Sequence, residues 1–410
     1  MRAAPRLERW VNALRDADTR SQRRRAPDRR HVVLDARTAM EFAMMAPVYH
    51  RLTQDARVRV SCMSSARPDQ VTSIYRDAPG DRRLLTPRQV LLSKIDVYLA
   101  ADLIWATIAR GACRVQMFHG VAGKYAHVYD RPSLTMRRWG RLFFINERRL
   151  RNFIAAGAVD AGSPAIRLVG MPKADALVDG TFSRNRVLTT HGLDPGRPTV
   201  LYAPTWTPDS SLNVMGEQVI QRLIETGVTV LVKLHENSRD LRYANSGGID
   251  WPARLQPLLR RGSGLLIDSS DVSSWLVASD VLISDHSSVA FEYLLLDRPV
   301  VRIHLPELLA RGAVAAEYVE LMTRASTTVT NPREVRAAVD HALADPRQGS
   351  ANRRAVASEL FYKPGTATDR AVCELYDAME LAPLHPRDPP ATFAAIPEPR
   401  NGQDRAPVRA

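Results

Sequence analysis

Short apolar runs alternate with helix-like segments along most of this chain, and no other feature constrains the fold as much. From His31 onward the runs are HVVLDA, VRVSCM, DVYLAA, RVQMFHG, RLFFIN and IRLVGMP. Segments such as TAMEFAMMAPVYHRL and ERRLRNFIAAGAV lie between several of them. Strand-like runs that alternate with helical segments are typical of a parallel α/β sheet.

The alternation restarts after a polar stretch rich in Gly and Pro at residues 179–198. The second series of runs is TVLYAPTW, VTVLVKLHE, GLLIDSS, VLISDHSS and PVVRIHL. We therefore predict two tandem Rossmann-like domains, at 31–180 and 181–382, that face each other across a cleft. Ligands of open α/β sheets bind outside the carboxyl ends of the strands. Polar residues directly after these runs are therefore the candidates for function.

The two ends of the chain differ from the rest. Residues 1–30 form a basic leader, and residues 383–410 are rich in Pro and Arg, which predicts a disordered tail. The net charge is +13. An anionic membrane surface would attract the leader, at about 1 kcal/mol per basic side chain near the headgroups. A solvated leader without a partner is the equal alternative, and the sequence has no motif that favours nucleic acid.

Composition excludes several other classes of protein. The three cysteines are widely spaced and form no CxxC, which argues against a disulfide framework or structural zinc and fits a reducing cytoplasm. No apolar segment of the secretory type follows the basic N-terminus. The most apolar long window, Val90 to Ala109, is interrupted by Lys94, Asp96 and Asp102, so we do not expect it to span a bilayer.

Polar residues follow four of the predicted strands. One strand is predicted to end at Phe118, another at Ala203, a third near Lys233 and a fourth at Ile283. The residues that follow are His119, Gly120 and Lys124; Thr205 and Trp206; His235; and Asp285, His286, Ser287 and Ser288. The last group lies at the start of a helix, where Ser284 or Asp285 could act as the cap, where Ser287 and Ser288 would lie in the first turn, and where free N–H groups favour anions.

Each of these features has an ordinary structural explanation when it is taken alone, as a turn, a half-buried histidine or a helix cap. Their joint position at strand ends of two consecutive α/β units favours a shared site. Histidines, lysines and hydroxyls suit the binding of a diphosphate and the transfer of a proton. The set contains no carboxylate cluster and no His/Cys cluster, so we expect no metal, and we expect no cofactor.

The motifs HGxxxK, GMPKADAL, YAPTW, VKLHEN and SDxSSVxFE, in this order from Phe118 to Pro299, resemble the CDP-glycerol glycerophosphotransferase family. The segment YKPGTATDRAVCEL resembles the C-terminal element of that family. The resemblance implies a GT-B fold of two facing Rossmann-like domains. It also implies transfer of a polyol phosphate from CDP-glycerol or another CDP-polyol to a lipid-linked or polysaccharide acceptor. The expected location is the cytoplasm, on the inner face of the cell membrane.

The resemblance also implies roles for individual residues. His119 and His235 are the expected catalytic pair, His119 as the base and His235 as the group that stabilises the leaving phosphate. Lys124, Ser287, Ser288 and Arg370 are expected to bind the donor phosphates. The expected supporting residues of the donor site are Gly120, Thr205, Trp206, Lys233, Asp285, His286 and Glu292.

This chain departs from the family pattern at three positions, all in the expected donor site. His286 stands where Tyr is common, Glu236 where Pro is common, and Pro364 where an acid is usual. Two alternatives to a polyol phosphate transferase therefore remain open. One is a GT-B glycosyltransferase or epimerase that acts on a nucleotide-sugar, and the other is a non-catalytic protein that binds membranes or nucleic acid through its basic segments.

Overall fold

The computed structural model describes residues 10–14, 16–17, 20–21, 29–101, 106, 108, 111–124, 136, 138–261 and 263–382. Most of the basic leader and all of the C-terminal tail at 383–410 lie outside these residues. The predicted disorder of the tail therefore stays a prediction. Within the described part of the chain, no helix combines the length and the apolar content needed to cross a membrane.

In the part of the chain that the structure describes, twelve strands form two parallel sheets of six strands each. The first sheet contains β1 Arg30–Asp35, β2 Val58–Met63, β3 Val97–Ala100, β4 Cys113–Met117, β5 Arg141–Phe144 and β6 Ile166–Leu168. The second contains β7 Thr199–Tyr202, β8 Thr229–Val232, β9 Gly264–Leu266, β10 Val281–Ser284, β11 Val300–Ile303 and β12 Thr327–Val329. The predicted α/β class with two Rossmann-like units is therefore confirmed.

The central strands are nearly continuous apolar runs, and every residue of β7, β8, β10 and β11 is buried. Parallel sheets need this composition because helices cover both of their faces. Among the described strands, only β12 lacks a matching apolar run in the sequence; it is an edge strand with the sequence TTV and one buried residue.

The described helices of the first half include Ala39–Thr53, Val71–Ile74, Pro87–Leu92, Glu147–Ala155 and Pro172–Asp175. Those that follow are Arg184–Thr190, Ser211–Glu225, Tyr243–Ser246, Trp251–Arg261, Ser273–Ala278, Val289–Tyr293, Pro306–Arg311, Ala316–Arg324, Pro332–Ala344, Ser350–Leu360 and Ala367–Ala378. Short 3₁₀ turns occupy Pro68–Gln70, Glu236–Arg239 and Leu294–Leu296.

Strand order places one switch point in each sheet. The first sheet has the order β2-β1-β3-β4-β5-β6, and the second has the order β12-β11-β10-β7-β8-β9. The direction of winding reverses between β1 and β3 in the first sheet and between β7 and β10 in the second. Ligands of doubly wound sheets bind beside such points. The loops after β1, β3, β7 and β10 are therefore the places where the fold itself favours a site.

The last two helices return to the first half of the chain. Asp175 accepts hydrogen bonds from the backbone N–H groups of Gly365, Ala367 and Thr368, and so holds the start of the final helix. Gly170 has a φ of +92°, and a Cβ at this position would lie 2.6 Å from the carbonyl oxygen of Tyr362. The segments GMPKADAL and YKPGTATDRAVCEL, which both resemble family motifs, thus pack against each other. The division at residue 180 stays a prediction.

Candidate active site

A cavity of about 580 Å³ lies between the carboxyl ends of the two sheets. We call it the central cavity. From the first half it is lined by Arg37, Met40, Ala101, Gln116, Phe118, His119, Gly120, Val121, Ala122, Gly123, Lys124, Arg149 and Phe153. From the second half it is lined by Thr205, Trp206, His235, Ser287, Ser288 and Tyr318. Eight of the residues predicted from sequence therefore share one space.

The charged groups in this lining are all cations. Lys124 and Arg149 contribute positive charge, as does Arg37, whose guanidinium is paired with Glu41 at 3.0 Å, and no Asp or Glu is among the described residues of the wall. Burial lowers the pKa of Arg149 to about 10. Burial also lowers the pKa of Lys124, an effect that the carboxylate of Asp285 opposes. A desolvated cation next to open space is a favourable partner for an anionic ligand.

His119 follows β4 and is held in one orientation by the backbone. Its Nδ1 lies 2.5 Å from the carbonyl oxygen of Ala101. Because a carbonyl oxygen only accepts, Nδ1 carries the proton in the neutral ring and Nε2 is left as an acceptor. Burial lowers the pKa of His119, and the Arg37 and Arg149 guanidinium groups add to this, whereas Glu41 opposes it. The ring is therefore neutral at pH 7 and able to take a proton.

His235 follows β8 and has the opposite arrangement. Its Nδ1 accepts a hydrogen bond from the backbone N–H of Asn237 at 3.1 Å. The proton of the neutral ring therefore lies on Nε2, which makes Nε2–H a donor. Burial, with Lys233 and Lys124, lowers the pKa of His235 to about 4. The ring of Trp206 lies 5.8 Å from the His235 ring, centroid to centroid. One wall of the cavity thus holds a proton acceptor and the other a neutral donor.

Asp285 does not cap the helix that follows it, contrary to the cap predicted from sequence. Its Oδ1 accepts hydrogen bonds from the backbone N–H and the hydroxyl of Thr205, the former at 2.9 Å. Its Oδ2 accepts from the backbone N–H and the hydroxyl of Ser211, both at 3.0 Å. The carboxylate is completely buried. It ties the loop after β7 to the loop after β10, and so positions Thr205 and Trp206 in the cavity wall.

Ser287 and Ser288 lie just before the helix Val289–Tyr293 and not inside its first turn as predicted. Ser288 is the N-cap position, and its side chain makes no capping hydrogen bond. Ser284, the other predicted cap, donates its hydroxyl proton to the carbonyl oxygen of Ala203 at 2.7 Å. Lys124 enters the cavity from the opposite side, after Gly123, whose φ of +70° favours glycine. Hydroxyls and an ammonium group therefore face the same space.

The structure does not bring Arg370 into the central cavity. Its guanidinium donates to the carbonyl oxygens of Val169, Tyr362 and Lys363 and to the hydroxyl of Thr366, at 2.6–3.1 Å. These bonds join the final helix to the end of β6. Phosphate binding by Arg370 stays a prediction, and its observed contacts are structural.

Besides Asp285, three supporting residues also lie outside the lining of the central cavity. Glu292 forms a buried ion pair with Lys173. His286 is completely buried, and neither of its ring nitrogens has a hydrogen-bond partner among the described residues. Burial first, and then Arg302, lowers its pKa to about 4. Lys233 lines a smaller neighbouring cavity.

Sequence reasoning missed three polar residues of the wall, Arg37, Gln116 and Arg149. Arg149 lies on the helix Glu147–Ala155, on the same buried face as Leu150 and Phe153. An arginine on the apolar face of an amphipathic helix is the signal that could have identified it. Gln116 lies within β4, and its buried Oε1 has no partner among the described residues. Across the part of the chain that the structure describes, no three His, Cys, Asp or Glu side chains are grouped to hold a metal.

Two facing Rossmann-like units with a cation-lined cavity between their strand ends define a protein of the GT-B class. The chain matches the CDP-Glycerol:Poly(glycerophosphate) glycerophosphotransferase family over residues 120–375, more than half of its length. It belongs to that family. The predicted resemblance is confirmed.

Curated relatives are teichoic acid enzymes. A teichoic acid poly(glycerol phosphate) polymerase of Staphylococcus epidermidis is 26% identical over 191 residues, which are 43% of this chain and 24% of that protein. A teichoic acid glycerol-phosphate primase of Bacillus spizizenii is 28% identical over 137 residues, which are 32% of each chain. The chain thus matches about a quarter to a third of the length of these relatives.

Solved structures show the same fold at low identity. The wall teichoic acid polymerase TagF matches with a TM-score of 0.66 and 16% identity, over 91% of this chain and 95% of that chain. A co-structure of MnaA from S. aureus with UDP matches with a TM-score of 0.56 and 16% identity, over 89% of this chain and 100% of that chain.

Proposed function

We propose that this protein transfers a polyol phosphate, with glycerol phosphate as the first candidate, from a CDP-activated donor to a hydroxyl of a lipid-linked or polysaccharide acceptor. The reaction would release CMP and extend a teichoic acid or capsule-like polymer. One observation carries the proposal: His119 and Lys124 from one half and His235, Ser287 and Ser288 from the other line a single cavity. Family membership supports it, and so does a structure of a TagF variant soaked with CDPG.

The donor diphosphate would lie between the two halves. The hydroxyls of Ser287 and Ser288 would donate hydrogen bonds to its oxygens, and Lys124 would supply charge. Arg149 and Arg37 extend the same positive wall. Phosphoryl transfer depends mainly on positioning and on charge stabilisation, which such a wall provides.

The two histidines would have different tasks, which follow from their tautomers. The acceptor hydroxyl gives its proton to Nε2 of His119 as its oxygen attacks the phosphorus that carries the polyol. The bond between that phosphorus and the bridging oxygen breaks, and CMP leaves with the electron pair. Nε2–H of His235 donates a hydrogen bond to the negative charge that develops on the leaving phosphate. An acid–base group of this kind contributes about 10²–10⁴ in rate.

The acceptor would reach the protein at the cytoplasmic face of the membrane. Support comes from the basic leader, within which Trp10 and Leu14 are exposed. Arginines next to exposed apolar side chains are typical of segments that bind anionic interfaces. Vesicle co-sedimentation of the full chain with and without residues 1–28 tests this part separately from the chemistry.

A second candidate is a nucleotide-sugar enzyme of the same fold, since the MnaA co-structure with UDP also matches this chain. The nucleotide that is released distinguishes the two. The test is incubation of the purified protein with CDP-glycerol, CDP-ribitol and a UDP-sugar, each with and without a lipid-linked acceptor. We expect acceptor-dependent CMP from a CDP-polyol. Release of UDP or epimerisation of the sugar, with no CMP from any CDP-polyol, would overturn the proposal.

A further inference from the structure

A second, smaller cavity of about 240 Å³ continues the cleft toward one edge of both sheets. We call it the edge cavity. It is lined by Arg37, Thr38, Ala39, Arg67, Gln70, Ser73, Ile74, Arg76, Lys233, Glu236, Arg239, Asp268, Ser269 and Ser270. Arg37 also lines the central cavity, so the two spaces meet at this side chain.

Strand order explains why the two cavities lie side by side. The central cavity is built from loops after β1, β3 and β4 of the first sheet and after β7, β8 and β10 of the second. The edge cavity is built from loops after β2 and β1 and after β8 and β9. In both sheets these are the next strands toward the same edge. The two cavities are therefore neighbours along the cleft, in the order that a linear ligand would follow from the reacting centre outward.

The charges of the edge cavity select an anion. Its wall has five basic side chains, Arg37, Arg67, Arg76, Lys233 and Arg239, and two carboxylates, Glu236 and Asp268. Asp268 lies 3.6 Å from the guanidinium of Arg239, so its charge is already partly matched. Burial, and then the neighbouring Arg239, lowers the pKa of Lys233 to about 8. Just beyond the wall, Glu41 lies 3.0 Å from Arg37 and Asp77 lies 3.7 Å from Arg76. Among the described residues, Arg67 and Lys233 of this wall form no ion pair, so their charge remains for an anionic ligand.

Size and position identify which part of a substrate fits. The edge cavity has less than half the volume of the central one and is below the roughly 300–1,000 Å³ that a drug-sized ligand occupies. It suits one phosphate with a short polyol and not a nucleoside. The serine pair expected to hold the donor phosphates follows β10, and β7 and β8 separate it from β9 in the second sheet.

We propose that the edge cavity binds a phosphodiester of the growing polyol phosphate chain, one or more units behind the hydroxyl that reacts. This inference rests on the proposed function for the identity of the polymer. The anion selectivity of the cavity stands on its lining alone. A chain held in this way would keep its terminal hydroxyl near His119 and leave the donor position open.

Arg67 and Arg76 provide the test, since both side chains are exposed and the ion pair of Arg76 with Asp77 also lies at the surface. The probe is a synthetic glycerol phosphate tetramer, titrated by calorimetry into the wild type and into the double variant Arg67→Ala/Arg76→Ala. We expect binding to the double variant to be weaker by about tenfold or more, from the loss of charge-assisted hydrogen bonds. The affinity for CDP-glycerol should change by less than about twofold.

Arg336→Ala is the matched control, because Arg336 is exposed on the helix Pro332–Ala344 and pairs only with Asp340 among its ion-pair contacts in the described residues. Equal tetramer affinity in the control and the double variant would overturn the inference. Arginine-dependent binding of phosphatidylglycerol vesicles without any binding of the tetramer would also overturn it, in favour of a lipid headgroup. A third outcome is that CDP-glycerol binds to none of the proteins while the double variant still binds the tetramer more weakly than the wild type. That outcome would refute CDP-glycerol as the donor but would support phosphodiester binding in the edge cavity.

Discussion

Lys173 and Glu292 form a buried ion pair that joins the two halves of the molecule, with 2.7 Å between Nζ and Oε2. Asp271 lies 3.8 Å from the same ammonium group. Burial lowers the pKa of Lys173, but the carboxylates of Glu292 and Asp271 more than compensate, and the net shift is upward. Glu292 is expected from sequence to support the donor site. In the structure it stabilises the contact between the two halves.

Removal of one partner of this pair leaves a buried charge without compensation. We predict that Lys173→Met lowers the free energy of unfolding by about 3–5 kcal/mol. The double variant Lys173→Met/Glu292→Leu should recover most of this loss, because apolar side chains of similar volume replace both charges. Urea denaturation of the three proteins measures the effect. A double variant as unstable as the single one would show that the uncompensated charge of Glu292 is not the cause of the loss.

Asp285→Asn tests the link between the loops after β7 and β10. Asparagine keeps one acceptor, but its amide group would face the N–H and hydroxyl of Ser211, where the carboxylate now accepts two hydrogen bonds. We predict a loss of stability of about 1–3 kcal/mol. Weaker binding of CDP-glycerol should accompany it, since Thr205 and Trp206 lose their support. Thermal melts and calorimetry measure these two effects, and an Asp285→Asn protein indistinguishable from wild type in both would refute this role.

A variant of Arg370 can distinguish the structural role of this residue from the phosphate-binding role predicted from sequence. Arg370→Lys keeps a positive charge but cannot make the four hydrogen bonds that the guanidinium donates. We expect the free energy of unfolding to fall by about 1–3 kcal/mol, with the affinity for CDP-glycerol nearly unchanged. Unchanged stability with a large loss of donor affinity would instead favour a direct contact with phosphate.

Stability should depend on pH through three histidines whose pKa values are lowered in the folded protein. The pKa of each of His31, His235 and His286 is lowered to about 4, with burial as the largest cause. Between pH 6.5 and 4 the unfolded chain binds protons that the folded protein does not, so stability falls as the pH falls through this window. Urea midpoints at pH 7.5, 6.0 and 5.0 test this.

His286→Phe is the informative variant for this pH dependence. It removes a ring that has no hydrogen-bond partner among the described residues, and it should make the loss of stability with falling pH shallower. A profile that is flat between pH 7.5 and 5.0 in the wild type, or equally steep in the variant, would contradict this explanation.

The sequence predicts the sheets well because parallel strands are buried on both faces and therefore stand out as apolar runs. The predicted strand ends at Phe118, Ala203 and Ile283 differ by one residue from the observed ends. Side chains directly after such a strand, such as those of His119 and His235, lie at the cleft because the fold places the carboxyl ends of its strands there. The β12 strand is not predicted from sequence because an edge strand needs little apolar surface.

Side-chain direction is the part that sequence could not supply. Arg370 and Arg149 lie on helices in segments with several polar neighbours, and the pattern of charges does not reveal which arginine turns inward. Arg370 bonds to backbone carbonyls, and Arg149 reaches the cavity. Likewise, the motif around Asp285 indicates a special turn, but its hydrogen bonds run to residues about 80 positions away in the chain.

The central claim is that His119 takes the proton of an acceptor hydroxyl that attacks a donor bound in the cavity between the two halves. The most direct measurement combines calorimetric binding of CDP-glycerol with single-turnover release of CMP in the presence of a lipid-linked acceptor, for the wild type and His119→Ala. We predict that the variant binds the donor within about threefold of the wild type but releases CMP about 10²–10⁴ times more slowly. Turnover by His119→Ala at the wild-type rate, or no binding of CDP-glycerol by the wild type, would contradict the claim.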